Sequence, residues 1–218
     1  MAQFSNDILK YIGGPGLPEI KDCEVKELPV LPTFLDEAIM NYIRGIKNPD
    51  DAVARLDLVI LKHTLAAAES YTFGRTQLVR FIGKLYAGTH DLLTYLSAVR
   101  NFENCVGAIW KASEAFNRME HKALGQKIAH LTLYTRGEGS DLERLSAVNN
   151  AAKHFDELRA ARAAAHVWIS EKGIECAEGL VTFDELFDNI VALSEVNRQI
   201  FVEIPKEAMQ RSKLEATD

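Results

Sequence analysis

The stretch His90–Phe116, HDLLTYLSAVRNFENCVGAIWKASEAF, decides the fold class of this chain. Its apolar residues recur at three- to four-residue steps, which is the spacing of one face of an α-helix. No proline interrupts the pattern, so it predicts a long central helix. The residues on the predicted apolar face are Leu93, Leu96, Val99, Phe102, Val106, Ile109, Trp110, Ala112 and Phe116.

The same spacing predicts helices before this stretch. Thr33 is the predicted N-cap of a helix that runs to about Lys47. Pro49 suits the start of a second helix, which we expect to end near Ser70. Gly74 is predicted to separate it from a further helical run that leads to the central helix.

Helical patterns also follow the central helix. Residues 122–135 are predicted to form a helix that ends at the glycine turn 136–140, and another helix is predicted from there to residue 158. Segments 166–170 and 174–176 read as two short strands around Gly173. Thr182 and Glu185 match a capping box, Thr-x-x-Glu, which opens the last helix.

These elements predict a mainly α fold, a helical bundle with a long central helix and a small β-hairpin appended before the last helix. Residues 1–32 are dense in glycine and proline and are predicted to form an irregular N-terminal segment. Residues 33–204 are predicted to form a single helical domain. Residues 205–218 are predicted to be a polar C-terminal tail.

Composition narrows the classes of function. Hydrophobic residues make up 47% of the 218 residues, which is ample for a packed core. The net charge of -6 argues against indiscriminate nucleic-acid binding, although residues 111–172 carry a slight excess of Lys and Arg. The three cysteines form no C-x-x-C pair, and no signal peptide or membrane-spanning run is present, which favours a cytoplasmic protein. No metal-binding or phosphate-loop motif occurs, so we expect neither metal nor cofactor.

One helical turn concentrates polar side chains on an otherwise amphipathic helix: Asn149, Asn150, Lys153 and His154. Asparagine is a poor helix former, so two in succession need a local reason. The turn presents an amide, a cation and an imidazole that titrates near neutral pH. The alternative is structural, because asparagine often satisfies neighbouring backbone in a bundle.

A second polar group, Arg100, Asn101 and Glu103, lies in the middle of the central helix. We favour a structural interpretation, in which an interhelical salt bridge and hydrogen bonds fix the register of the helices. The alternative is that the group forms the second wall of a site.

The segment Asn149–His154, preceded by Arg144 and followed by Phe155-Asp156-Glu157, resembles the R-N-x-x-x-H segment of the HEPN superfamily of all-helical domains. The residues around Trp168, Gly173 and Phe183 are similar to uncharacterised bacterial proteins with this kind of helix. The resemblance spans about residues 50–200.

The resemblance implies a metal-independent ribonuclease, in which two protomers share a cleft. His154 would be the general acid or base, Asn150 would orient the ribose hydroxyl, and an arginine would hold the phosphate. This chain has Asn149 at the arginine position. Arg144 lies about 140° away around the helix, and Lys153 is a point charge and not a bidentate fork.

Because Asn149 stands where the resemblance requires an arginine, we favour a HEPN-like binding or regulatory module without robust catalysis. The predicted site comprises His154 and Asn150, with Asn149, Lys153 and Arg144 as ligand or phosphate contacts. The expected partner is RNA, a nucleotide or a protein. We expect no membrane partner, and the resemblance implies a homodimer. The alternatives are a metal-independent ribonuclease that uses His154 and a purely structural helical protein.

Overall fold

The computed structural model describes Ile20 and residues 23–43, 52–88, 91–123, 133–153 and 167–205. Within them the protein is mainly α-helical, and a small antiparallel sheet precedes the last helix, so the predicted fold class is confirmed. The helices are α1 (Leu35–Ile43), α2 (Ala52–Tyr86), α3 (Leu92–Ala123), α4 (Asp141–Lys153) and α5 (Phe183–Arg198). The strands are β1 (Trp168–Ile169), β2 (Gly173–Cys176) and β3 (Gly179–Thr182), and a π-helical segment (Gln199–Glu203) extends α5.

Helices α2 and α3 form a long antiparallel hairpin. They contain 35 and 32 residues, so each is about 50 Å long at a rise of ~1.5 Å per residue. The ring of Phe81 lies 5.3 Å from that of Tyr95, and the ring of Tyr71 lies 5.9 Å from that of Phe102. Helix α3 is the predicted central helix, which is confirmed. Neither of these helices nor any other in the described ranges is apolar enough along its length to cross a membrane.

The predicted break at Gly74 is wrong, because α2 continues through it. A Cβ atom on Gly74 would lie 3.1 Å from three atoms of the Phe102 ring. The glycine therefore allows α2 and α3 to approach closely and does not end a helix. The hairpin does turn at Gly88, which has a φ of 74° and donates its N–H to the carbonyl of Leu85.

Two other predicted helix boundaries are wrong. Helix α1 begins one residue later than a Thr33 cap requires, because the buried Phe34 has a φ of 52° and its carbonyl accepts the first helical bond, from Ala38 N. Most of the predicted helix 122–135 lies outside the described residues, and its described ends do not start or finish a separate helix. Its first residues continue α3 to Ala123, and Tyr134 lies in a non-helical turn.

The sheet has the order β1-β2-β3, one strand more than the predicted hairpin. Ile174 pairs with Ile169 on one side and with Val181 on the other. A Cβ on Gly173 would lie 2.1 Å from the Val181 carbonyl oxygen, so only glycine fits there. Tyr95 on α3 fastens the sheet to the bundle, because its hydroxyl accepts the N–H of Ile169 at 3.2 Å.

The main core lies between the hairpin, α4, α5 and the sheet, and a second apolar cluster lies where α1 and the π-helix meet the hairpin. An extended strap, residues 23–33, crosses the outside of the bundle. The Tyr71 hydroxyl donates to the carbonyl of Lys26 at 3.0 Å, and Arg75 Nε donates to that of Val25 at 2.9 Å. The last helix begins with the predicted capping box of Thr182 and Glu185, which is confirmed.

Candidate functional site

The turn that leads into α4 is held by a carboxylate. Gly137 and Gly139 have φ angles of 85° and 72°, a conformation that favours glycine. The Glu143 carboxylate accepts their backbone N–H groups at 2.5 and 2.8 Å, and these bonds lower the pKa of Glu143. Ser140 Oγ accepts the N–H of Glu143 at 3.2 Å, which caps the helix. The turn is therefore fixed against the first turn of α4.

Arg144, the predicted peripheral phosphate contact, is already paired. Its guanidinium forms a partly buried ion pair with Glu185 at the start of α5, and it also donates to the carbonyl of Gly139. Glu185 is the same residue that closes the capping box with Thr182. The charge of Arg144 is thus neutralised inside the fold, where it joins α4, the glycine turn and α5.

Asn150 belongs to a chain of hydrogen bonds on one face of α4. The Tyr134 hydroxyl donates to Ser146 Oγ at 3.0 Å, and Asn150 Nδ2 donates to the same oxygen at 3.3 Å. The ring of Tyr134 packs against Trp110 of α3, with the centroids 6.2 Å apart. Ser146 is 4% exposed and Asn150 is exposed, so the chain leads from the interior to the surface.

A groove of about 840 Å³ opens along this face, and we call it the α4 groove. Its walls are the glycine turn, the exposed face of the first part of α4, and the turn between β2 and β3. Gly179 lets the strand turn pack closely, since a Cβ there would lie 3.4 Å from that of Ala147. The lining residues are Tyr134, Arg136, Gly137, Gly139, Glu143, Arg144, Ser146, Ala147, Asn150, Glu178 and Gly179.

Asn149 does not line the α4 groove. It is 3% exposed and lies in the interface between α4 and α3, where a Cβ on Gly107 would lie 3.4 Å from its Oδ1. Gly107 therefore makes room for the asparagine amide between the two helices. The two consecutive asparagines have different surroundings, one in the helix interface and one in the groove.

Lys153 is exposed at the end of the described part of α4 and is not among the residues that line the groove. His154, the predicted general acid or base, lies outside the described residues. Of the five predicted site residues, the structure brings Asn150 and Arg144 together in one groove and places Asn149 and Lys153 elsewhere.

The polar group in the middle of α3 does not form the expected interhelical salt bridge within the described residues. Asn101 Nδ2 donates to the carbonyl of Ser97 in its own helix at 2.7 Å, and Arg100 is exposed. Glu103 is half-buried, and burial raises the pKa of its carboxyl to about 7. The prediction fails because Asn101 finds its acceptor one turn back on α3 instead of on a neighbouring helix.

Of the lining residues, sequence reasoning identified only Arg144 and Asn150; the polar side chains that it missed include Tyr134, Arg136, Ser146 and Glu178. Ser146 could have been found, because it precedes Asn150 by one helical turn and shares its face. The other three come from segments that only tertiary packing brings to α4. No group of three or more histidine, cysteine or acidic side chains within the described ranges is placed to hold a metal ion.

Comparison with protein-family models, with curated proteins and with solved structures found no match for this chain. The HEPN-like resemblance therefore remains a prediction from the residues of α4 and those around it. The function of the chain is therefore inferred from the residues of the α4 groove.

Proposed function

We propose that this protein is a HEPN-like binding module without robust catalysis, and that the α4 groove is its ligand site. The observation that carries the proposal is the chain Tyr134, Ser146 and Asn150, which ends in an exposed amide in the groove that Arg136 also lines. The chain holds Asn150 in one orientation before a ligand arrives, which lowers the entropic cost of binding.

The size and lining of the groove suit a ligand site. Its volume of about 840 Å³ falls in the range of about 300 to 1,000 Å³ that is typical of such sites. The lining is mainly polar, which suits a polar ligand: Tyr134 and the methyl of Ala147 are accompanied by four charged side chains, Ser146 and Asn150. Its floor is rigid, because Glu143 ties the glycine turn to α4.

The surroundings of Arg144 and Asn149 argue against phosphodiesterase activity. A nuclease of the expected kind needs a cation to hold the phosphate, and Arg144 is committed to Glu185. Asn149, which stands at the arginine position of the resemblance, is buried against α3. Among the described residues, the groove thus retains the asparagine of the expected catalytic set without a free cation at the position that the resemblance requires.

The proposal includes a cytoplasmic location and a homodimer. The cysteines of the described ranges, Cys23, Cys105 and Cys176, are free thiols, which suits a reducing compartment. A dimer is what the HEPN-like resemblance implies, and a sizing column tests it directly: elution as a monomer at working concentration would remove this part of the proposal.

The binding claim is tested with a small-molecule fragment library and ligand-observed NMR. We expect fragments that carry an amide or a carboxylate to bind wild-type protein and to lose binding in Asn150→Ala. Lys153→Ala is the matched control, since it removes an exposed side chain from the same helix outside the groove, and its binding should match the wild type. Fragment binding that is unchanged in Asn150→Ala would contradict the proposed site.

A further inference from the structure

The two arginines that line the α4 groove differ in whether they form a salt bridge. Arg144 is paired with Glu185, whereas the exposed Arg136 has neither a salt bridge nor a hydrogen bond within the described part of the chain. Arg136 lies close enough to Glu143 for its charge to contribute to the lowered pKa of that carboxyl. Its guanidinium therefore retains all its hydrogen-bond donors for a ligand.

The surroundings of Arg136 limit how much negative charge a ligand can bring. Glu143 and Glu178 line the same groove, and Glu138 lies in the glycine turn. Glu143 and Glu138 are held in place, because Glu143 accepts from Gly137 N and Glu138 accepts from Thr135 N at 2.8 Å. A run of phosphates would meet these fixed carboxylates, whereas a single carboxylate can pair with Arg136 in a bidentate manner.

The polar groups of Asn150, which lines the same groove as Arg136, match a peptide backbone. Asn150 uses one N–H for Ser146 Oγ, which leaves its carbonyl oxygen and its second N–H exposed. A peptide group offers the complementary pair, one N–H donor and one C=O acceptor. The groove is partly open to solvent, so a peptide group can reach Asn150.

We propose that the ligand of the α4 groove is a segment of a partner protein with a single acidic residue, whose carboxylate pairs with Arg136 while a neighbouring peptide group pairs with Asn150. This inference rests on the proposed function and names the ligand class of the same site. It distinguishes a protein ligand from RNA, whose many phosphates the fixed carboxylates repel.

The test is a binding selection from a library of short random peptides. Fluorescence anisotropy then measures the affinity of the protein for the selected peptides, after labelling, and for a short single-stranded RNA. We expect the selected peptides to share one Asp or Glu, without a run of acidic residues, and to bind more tightly than the RNA. Arg136→Ala should weaken their binding by about tenfold, the value of a hydrogen bond to a charged group. Lys153→Ala, which removes an exposed cation outside the groove, should leave it unchanged.

Three results would overturn the ligand class: no enrichment of acidic residues, equal affinity in Arg136→Ala, or tighter binding of the RNA. If fragments still bind through Asn150 in these cases, the groove remains the ligand site and only the acidic peptide is excluded. If neither fragments nor peptides bind, the proposed function fails together with this inference. Unchanged melting temperatures of both variants establish that they are folded.

Discussion

Helix α2 contains two glycines for which the structure predicts opposite effects of the same substitution. Replacing glycine by alanine in a helix interior gains about 1 kcal/mol from backbone propensity. At Gly83 nothing lies within 4 Å of the added Cβ, so Gly83→Ala should realise most of this gain. At Gly74 the added Cβ meets the Phe102 ring at 3.1 Å, which is shorter than the ~3.5 to 4.0 Å of a relaxed carbon contact.

The Phe102 ring has little room to yield. It is fully buried, and the rings of Tyr71 and Phe183 lie 5.9 and 4.9 Å from it. Extra methyl groups in such a core cost about 1 to 3 kcal/mol. After the propensity gain, Gly74→Ala should lower the free energy of unfolding by about 1 kcal/mol. The two variants should therefore differ by about 2 kcal/mol, with opposite signs.

Urea denaturation of the wild type and both variants measures this difference, and an unchanged m-value shows that the midpoints report stability. Stabilisation of Gly74→Ala to the same extent as Gly83→Ala would refute the argument. The ring of Phe102 would then move freely, and the close approach of α2 and α3 would not be what requires the glycine.

Three further predictions concern the buried polar groups and a helix cap. Asn149→Asp places a carboxyl in the interface between α3 and α4, so it should cost about 2 to 3 kcal/mol at neutral pH and less near pH 4, where the carboxyl takes up a proton. The pKa of Glu103 rises from an ordinary 4.5 to about 7 in the folded state, so the free energy of unfolding of the wild type should fall as the pH rises from 4.5 to 7. Glu103→Gln should remove this fall. Above pH 7 the variant should be more stable than the wild type by about 1 to 2 kcal/mol, a value already reduced for the partial exposure of the side chain. Thr182→Ala removes the cap that accepts Glu185 N at 3.1 Å and should cost about 1 kcal/mol. Chemical denaturation at several pH values measures all three, and variants that follow the wild-type curve would contradict the assigned environments.

The parts of the fold that sequence predicts well are those set by local pattern. The apolar spacing of α3 identifies a helix because one face of it is buried from Tyr95 to Ala112. The capping box of α5 is equally local, since Thr182 and Glu185 are three residues apart. The predicted break at Gly74 is wrong because a glycine is needed there to accommodate the ring of Phe102, which no local pattern contains.

The features of the candidate site also divide into those that local pattern predicts and those that depend on tertiary packing. The shared face of Ser146 and Asn150 follows from helix geometry alone. The ion pair of Arg144 does not, because its partner Glu185 lies 41 residues later in the chain. The different surroundings of Asn149 and Asn150 also depend on tertiary packing, since Asn149 is buried against Gly107 of α3 and Asn150 is exposed.

The most direct test of the central claim, a binding module without robust catalysis, is incubation of the purified protein and its His154→Ala variant with mixed RNA in EDTA. We expect both to leave the RNA intact, since the described groove provides no free cation at the arginine position of the resemblance. Cleavage by the wild type that is lost in a folded His154→Ala variant would contradict it and establish a metal-independent ribonuclease.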